Sequence, residues 1–432
     1  MIRYAIISNE LTILQLQSEV QRCGGKNLKV ASASKQVFCD LNDEGVAKLR
    51  AIGCIVSAIG GVKAVVMAPI ISPPTPIAAI PTYTPSELGW VIGLEELRTI
   101  TDPPLYGEGI NIAIIGTGIR ETHQKINGRV IYRKNFTTDT MRDGFDHDTG
   151  VCDIIVSMAP LCSILNMKVL NDKGEGTEED VAIAIDDCIS MYDTSPNIAP
   201  TVINLSLGGP DDANPNNPLR VACRAAIEKG IFVLASVGNS GPASYTVTCP
   251  ACEQYVFAVG SARYLPEESS FVVSDWSSRG PTFEGLIKPD VILFGENIVM
   301  ASSKSDTAVI AKSGTSFAAP FGSAMIVLYQ EGAARQAIMK QAILGVPAAE
   351  IYYVPVNRMI GYYLPLISLK PAGIPLGKDT DYGCGLPYGP LTLKILTAAP
   401  ALDISTIMGT LAPILAIGML SMVMVPMIKS LK

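Results

Sequence analysis

A serine hydroxyl attacks a carbonyl only when a neighbouring base takes its proton, so a serine in a tight turn is informative when a base lies in reach. Ser316 sits in Ser313-Gly-Thr-Ser-Phe-Ala-Ala-Pro, where Gly314 permits a tight turn. A helix opening at Phe317 would point its positive end at that hydroxyl. Bases are scarce, because the chain holds only 2 histidines, His123 and His147. Lys312 precedes Ser316 closely enough to suggest a Ser–Lys dyad, although a lysine there reads more simply as a solvent-facing side chain. Asp146 and Asp148 flank His147 and could hold a cation or form a solvated acidic turn. Cys249 and Cys252 make one CxxC pair with no second pair to complete a zinc site, so neither a metal nor another cofactor is expected.

The elements that must position these groups follow from patterning. Of 432 residues, 48% are apolar and 17% charged, enough to bury a substantial core. The net charge of −7, with no long basic run, gives no reason to expect nucleic acid as a partner. Cys23, Cys39, Cys54, Cys152, Cys188 and Cys223 are scattered through apolar segments and read as buried thiols. Residues 1–68 show a βαββαβ pattern, which predicts a small α+β domain of ferredoxin type, with Asn42-Asp43-Glu44 opening its second helix. Proline-rich residues 69–104 read as an extended linker. Over 105–398, short apolar runs alternate with helical segments: Ile112–Ile115, Ile164–Val169, Val202–Leu207, Phe232–Ser236, Val256–Val259 and Val291–Leu293. Such runs predict a doubly wound α/β domain around a parallel sheet covered on both faces. The apolar, tyrosine-bearing stretch Ile351–Pro375 reads either as a segment packed on the domain or as an interaction surface or membrane-proximal contact. Residues 404–428 carry no charge and predict a single C-terminal membrane helix, with the body of the protein leaning to the cytoplasm.

Four segments, in order, resemble the subtilisin-like serine peptidases. Ile112-Ala-Ile-Ile-Gly-Thr-Gly-Ile resembles the strand that ends in Asp-Thr-Gly in that family. Asp146-His-Asp-Thr-Gly-Val resembles its Gly-His-Gly-Thr-His-Val turn into a helix. Ala235-Ser-Val-Gly-Asn-Ser-Gly resembles the loop that supplies the oxyanion asparagine, and the Ser316 segment resembles the nucleophile turn. Ile203-Asn-Leu-Ser-Leu-Gly resembles the strand lining the substrate cleft, while Trp276-Ser-Ser-Arg-Gly-Pro and Lys288-Pro-Asp-Val are further signatures. Asn171-Asp-Lys-Gly-Glu-Gly resembles a surface loop, and residues 1–68 resemble the inhibitory propeptide.

The resemblance implies Ser316 at the nucleophile position, Asn239 as oxyanion donor, and Ser206, Leu207, Gly208 and Gly238 as substrate-binding positions. Two positions depart from it. The family's aspartate falls on Gly116, and its histidine is read at Gly150, with His147 then a non-catalytic histidine three residues earlier and His123 a structural one. In subtilisin itself, dismantling the triad removes about six orders of magnitude of turnover. The expectation is therefore a catalytically inactive, membrane-anchored protein that binds a peptide or protein in its cleft, with its own N-terminal domain attached as a lid. Two alternatives stand beside it: a serine endopeptidase that uses a substrate histidine or a recruited His147, and a structural subunit of a membrane-bound assembly or virion.

Overall fold

In a computed structural model of the chain, the described residues are 1–64, 81–344, 368–375 and 377–389. The N-terminal module runs β1 (Ile2–Ile7), α1 (Ile13–Arg22), β2 (Lys26–Ala31), β3 (Gln36–Leu41), α2 (Asp43–Ala51) and β4 (Ile55–Ala58), followed by β5 (Gly61–Ala64). Its sheet has the order β2-β3-β1-β4, antiparallel throughout. Thr12 opens α1 in a capping box with Gln15, and the Asn42 side chain caps α2 by accepting from Gly45 N at 2.8 Å. Alternation along β3 sorts the two faces. Val37, Cys39 and Leu41 pack with Leu16, Val20 and Leu49 inside the module, whereas Phe38 faces outward into the core of the main domain.

Next come α3 (Pro85–Val91) and α4 (Leu94–Thr99). The linker reading of 69–104 is corrected here. Two helices occupy Pro85–Val91 and Leu94–Thr99, and Leu88, Ile92, Leu94 and Leu97 are buried in one core with the sheet of the main domain. Prolines misled the reading: Pro85 is a helix-opening residue behind the Thr84–Glu87 capping box, where a missing N–H costs nothing.

The main domain continues with β6 (Asn111–Gly116), β7 (Val130–Asn135), α5 (Asp148–Met158), β8 (Ser163–Lys168), β9 (Glu175–Thr177), α6 (Glu178–Thr194), β10 (Val202–Leu205) and β11 (Leu207–Gly208). It ends with α7 (Pro218–Lys229), β12 (Phe232–Ser236), β13 (Phe257–Leu265), β14 (Ser270–Val273), β15 (Val291–Phe294), β16 (Ile298–Ala301), β17 (Val309–Lys312) and α8 (Thr315–Leu344). The 8-stranded sheet has the order β14-β13-β12-β10-β6-β8-β7, with β15 also on β13. Every pairing in it is parallel except β13 with β14. Successive residues feed opposite cores, as parallel strands covered on both faces require. Ile112, Ile114, Val202 and Leu234 pack under α5 and α8, while Ala113, Ile115, Ile203 and Val233 pack under α6 and α7. The expected parallel α/β sheet is present, and its parallel sense brings the carboxyl ends of β6, β10 and β12 to one edge.

At that edge β5 lies as the central strand of a small sheet, antiparallel to β11 on one side and to β9 on the other. Arg3 Nε to Glu179 at 2.6 Å, Ser34 N to Asp186 at 2.7 Å and Gln36 Nε2 to Pro218 O at 3.1 Å dock the module on α6 and α7. The expected membrane helix at 404–428, and residues 351–367 of the apolar stretch, lie outside the described residues. Among the described residues, no helix is long and apolar enough to cross a membrane.

The Leu97→Ala variant tests the place of α4. Its burial predicts a loss of about 2–5 kcal/mol, read as a lower urea midpoint; a residue in a solvated linker would leave the midpoint unchanged.

Candidate active site

Ser316 lies in the first turn of α8 and is fully buried. Its Oγ donates to Ser206 O at 2.9 Å, and Ser206 Oγ donates to Ser316 O at 2.8 Å. Asn204 Nδ2 donates to Ser206 Oγ at 2.9 Å, and Asn204 Oδ1 accepts from Ser323 Oγ at 2.9 Å. Ser316 is thus tied to the strand end that begins the cleft, where Leu207 and Gly208 pair with Ala64 and Lys63.

Asn239 follows β12. Gly238 reaches it through a left-handed φ of 106°, which a side chain would strain. Thr315 donates to Asn239 Oδ1 twice, from N and from Oγ1, each at 3.0 Å. A backbone N–H can only donate, so the carbonyl side of the amide is assigned to Thr315 and the NH2 side is turned away from it. Asn239 Nδ2 is buried and has no partner among the described residues.

His147 immediately precedes α5 and is 1% exposed. Its ring stands 5.3 Å, centroid to centroid, from that of Phe317, the neighbour of Ser316. Nδ1 contacts Asp148 Oδ1 at 2.6 Å, whereas the buried Nε2 has no partner. Asp148 Oδ2 accepts from Thr117 N at 2.6 Å, and Thr117 Oγ1 accepts from Asp148 N at 3.0 Å. Thr117 Oγ1 in turn donates to Asp143 Oδ1 at 2.9 Å. Asp143 Oδ2 accepts from His147 N, Thr149 N and Thr149 Oγ1. Burial, and after it the charge of Asp148, holds Asp143 above the usual carboxylate range.

This geometry corrects the reading of the histidine. Gly150 lies inside the first turn of α5, and a Cβ there would meet Met300, with Sδ inside contact distance and Cγ at 2.8 Å. A side chain at 150 would therefore press on Met300 and the carbonyl of Ala301. The ring that faces the nucleophile turn belongs to His147. Gly116 closes β6 as expected, and the space beside it is filled by Asp148.

The remaining chemistry-bearing residues separate cleanly. His123 Nε2 contacts Ala308 O at 2.9 Å. Lys312 Nζ pairs with Asp146 through its backbone O and through Oδ2, so it does not form a dyad with Ser316. Asp146 Oδ1 accepts from Ser302 Oγ and Ser303 N and does not converge with Asp148 on a cation. Cys249 and Cys252 are buried free thiols, and among the described residues no group of ligands could hold a metal. Sequence reasoning missed Thr117, Asp143 and the role of β9, which forms the second wall of the cleft where a surface loop was expected. It also missed a cavity of about 530 Å³ whose lining includes Gly208, Asp211, Tyr245, Thr248 and Phe283.

A family model described as the subtilase family matches residues 107–346. The chain is 31% identical over 258 residues to the serine protease AprX of Bacillus subtilis (strain 168), covering 52% of this chain and 58% of that protein. It is 29% identical over 237 residues to a subtilisin of Bacillus sp. (strain TA39), covering 50% and 54%. With the subtilisin-like protease 1 of Trichophyton tonsurans it shares 30% over 219 residues, covering 50% and 40%. The chain thus spans about half the length of the curated relatives it matches.

Gly150→His is expected to force Met300 aside and cost about 1–3 kcal/mol without any gain in Ser316 reactivity. Thermal unfolding and reaction with a fluorophosphonate, measured side by side, check both halves of this expectation.

Proposed function

Because the chain belongs to the subtilase family, we propose that it is a serine endopeptidase rather than an inactive relative, with Ser316 as nucleophile, His147 as general base and Asn239 as oxyanion donor. One observation carries this reading: His147, whose ring meets that of Phe317, and Asn239, which accepts from Thr315, flank Ser316 through its two chain neighbours, and His147 Nε2 and Asn239 Nδ2 are both buried and without a partner among the described residues. An unpaired buried polar atom costs about 1–3 kcal/mol, so two in one place support a site kept open for a reacting group. The Ser316 Oγ–carbonyl carbon bond forms as the hydroxyl proton passes to Nε2. The oxyanion accepts a hydrogen bond from Asn239 Nδ2–H, and the amine leaves with the proton that His147 returns. Water then repeats the sequence on the acyl-enzyme.

In this reading the substrate is an extended peptide. Support comes from β5, whose backbone pairs with both β9 and β11 while Val62 is buried in the main core. A peptide one residue longer in the same register would bring an N–H to Ser206 O, the group that holds the Ser316 hydroxyl here. Substrate binding would then free Oγ to turn to His147. The N-terminal module acts as an inhibitory lid in this proposal, its own strand filling the cleft.

The second reading, recognition without cleavage, is favoured by a single observation: Ser316 Oγ donates to Ser206 O. Fluorophosphonate labelling of the full chain separates the two. Ser316 is expected to react, Ser316→Ala not to, and Val62→Asp to react faster because a charge at that buried position expels β5. Asn239→Ala should lower kcat by about 10²–10³-fold, the value known for such a donor in subtilisin itself. Absence of labelling in both the unaltered chain and Val62→Asp would leave the binding reading.

A further inference from the structure

The family's carboxylate position is empty at Gly116, yet the ring it should orient is held. A Cβ built on Gly116 would run into the carboxylate of Asp148, with Oδ2 well inside contact distance, Oδ1 at 2.8 Å and the carboxyl carbon at 2.9 Å. The Asp148 carboxylate therefore occupies the volume that a side chain at 116 would need. The two positions are alternatives for one negative charge. From that place Oδ1 reaches His147 Nδ1 at 2.6 Å.

We infer that Asp148 is the positioning residue for His147, a carboxylate moved from the end of β6 to the start of α5. For its catalytic consequence, this inference rests on the peptidase reading above. Three features make the new location workable. Thr117, next to the vacated position, fixes both ends of Asp148: its N–H donates to Oδ2 at 2.6 Å and its Oγ1 accepts from Asp148 N at 3.0 Å. Asp143 anchors the Thr117 hydroxyl at 2.9 Å, so that hydroxyl is left to accept from Asp148 N. Asp148 is also the first residue of α5, where the helix dipole stabilises an anion. With Nδ1–H donating to Asp148, the lone pair of Nε2 faces the site, and the imidazolium formed during attack has an adjacent counter-charge. The other charged groups around the pair are Asp143 and Asp146 from the preceding loop, Lys312 from β17, and Lys168 from β8, whose Nζ caps Thr117 O at 2.7 Å.

The test uses the full chain with isotope-labelled histidine, which reports only His123 and His147. A low-field Nδ1–H proton resonance from His147 is expected. It should vanish in Asp148→Asn and return when Asp148→Gly is combined with Gly116→Asp. Fluorophosphonate labelling of Ser316 should fall about 10⁴-fold in Asp148→Asn, as when a triad aspartate becomes asparagine. Gly116→Asp alone should be slowed by collision and like-charge repulsion, and the double variant should recover most of the rate. An Asp148→Asn protein that keeps the resonance and labels at the original rate would overturn the assignment. If the resonances follow the expected pattern while Ser316 never reacts in any variant, the peptidase reading fails and Asp148 stands as the partner of His147.

Discussion

The parallel winding of the sheet is the constraint on which the rest of the molecule depends. Parallel strands connected by helices must all end at one edge, and the next helices must begin there. Gly116 ends β6, Asn239 follows β12, and His147 and Ser316 stand at the openings of α5 and α8. Those helices pack together in one apolar core, where Val151 and Ile155 share a cluster with Phe317, Phe321 and Ala324. Displacing either helix would open voids along that face, so His147 and Ser316 are held in register by oil rather than by direct bonds.

Polar groups at the same edge obey a stricter rule. The first N–H groups of a helix have no acceptor within it, and buried ones need partners from outside. Asp143 supplies them for His147 and Thr149, and Asp148 supplies one for Thr117. Two carboxylates are thereby buried within one small network, and burial first, then the charge of Asp148, holds Asp143 above the usual carboxylate range. Against this dense satisfaction, the bare atoms of His147 and Asn239 stand out.

The cleft uses backbone rather than side chains to hold its occupant. Lys63 and Ala64 pair with β11, and Gly61 to Lys63 with β9, so an extended segment is recognised by its ladder and only then by its residues. Because β5 is covalently attached, its effective concentration at the cleft is in the millimolar range or above. The ion pairs and hydrogen bonds beneath the module hold it in the same orientation.

Periodicity alone determined six of the eight strands of the main sheet, since a residue row buried on both faces must read as a continuous apolar run; β7 and β14, which are only partly buried, carry no such run. Local turn chemistry likewise drew attention to Ser316, because Gly314 announces a tight turn whatever the surroundings, while Asn239 was marked by the family resemblance of its loop. Which residue turns its side chain toward the Ser316 turn was not legible in this way. His147 and Gly150 both lie at the opening of α5, and which of them faces Ser316 is set by the direction in which a helix start projects its side chains onto a neighbouring helix. The helices within 85–99 escaped notice because prolines open helices as readily as they prevent them. Asp148 was the least legible of all. Its carboxylate belongs in space to Gly116, a residue distant in sequence, and only the close approach of β6 to α5 brings that vacancy and that charge together.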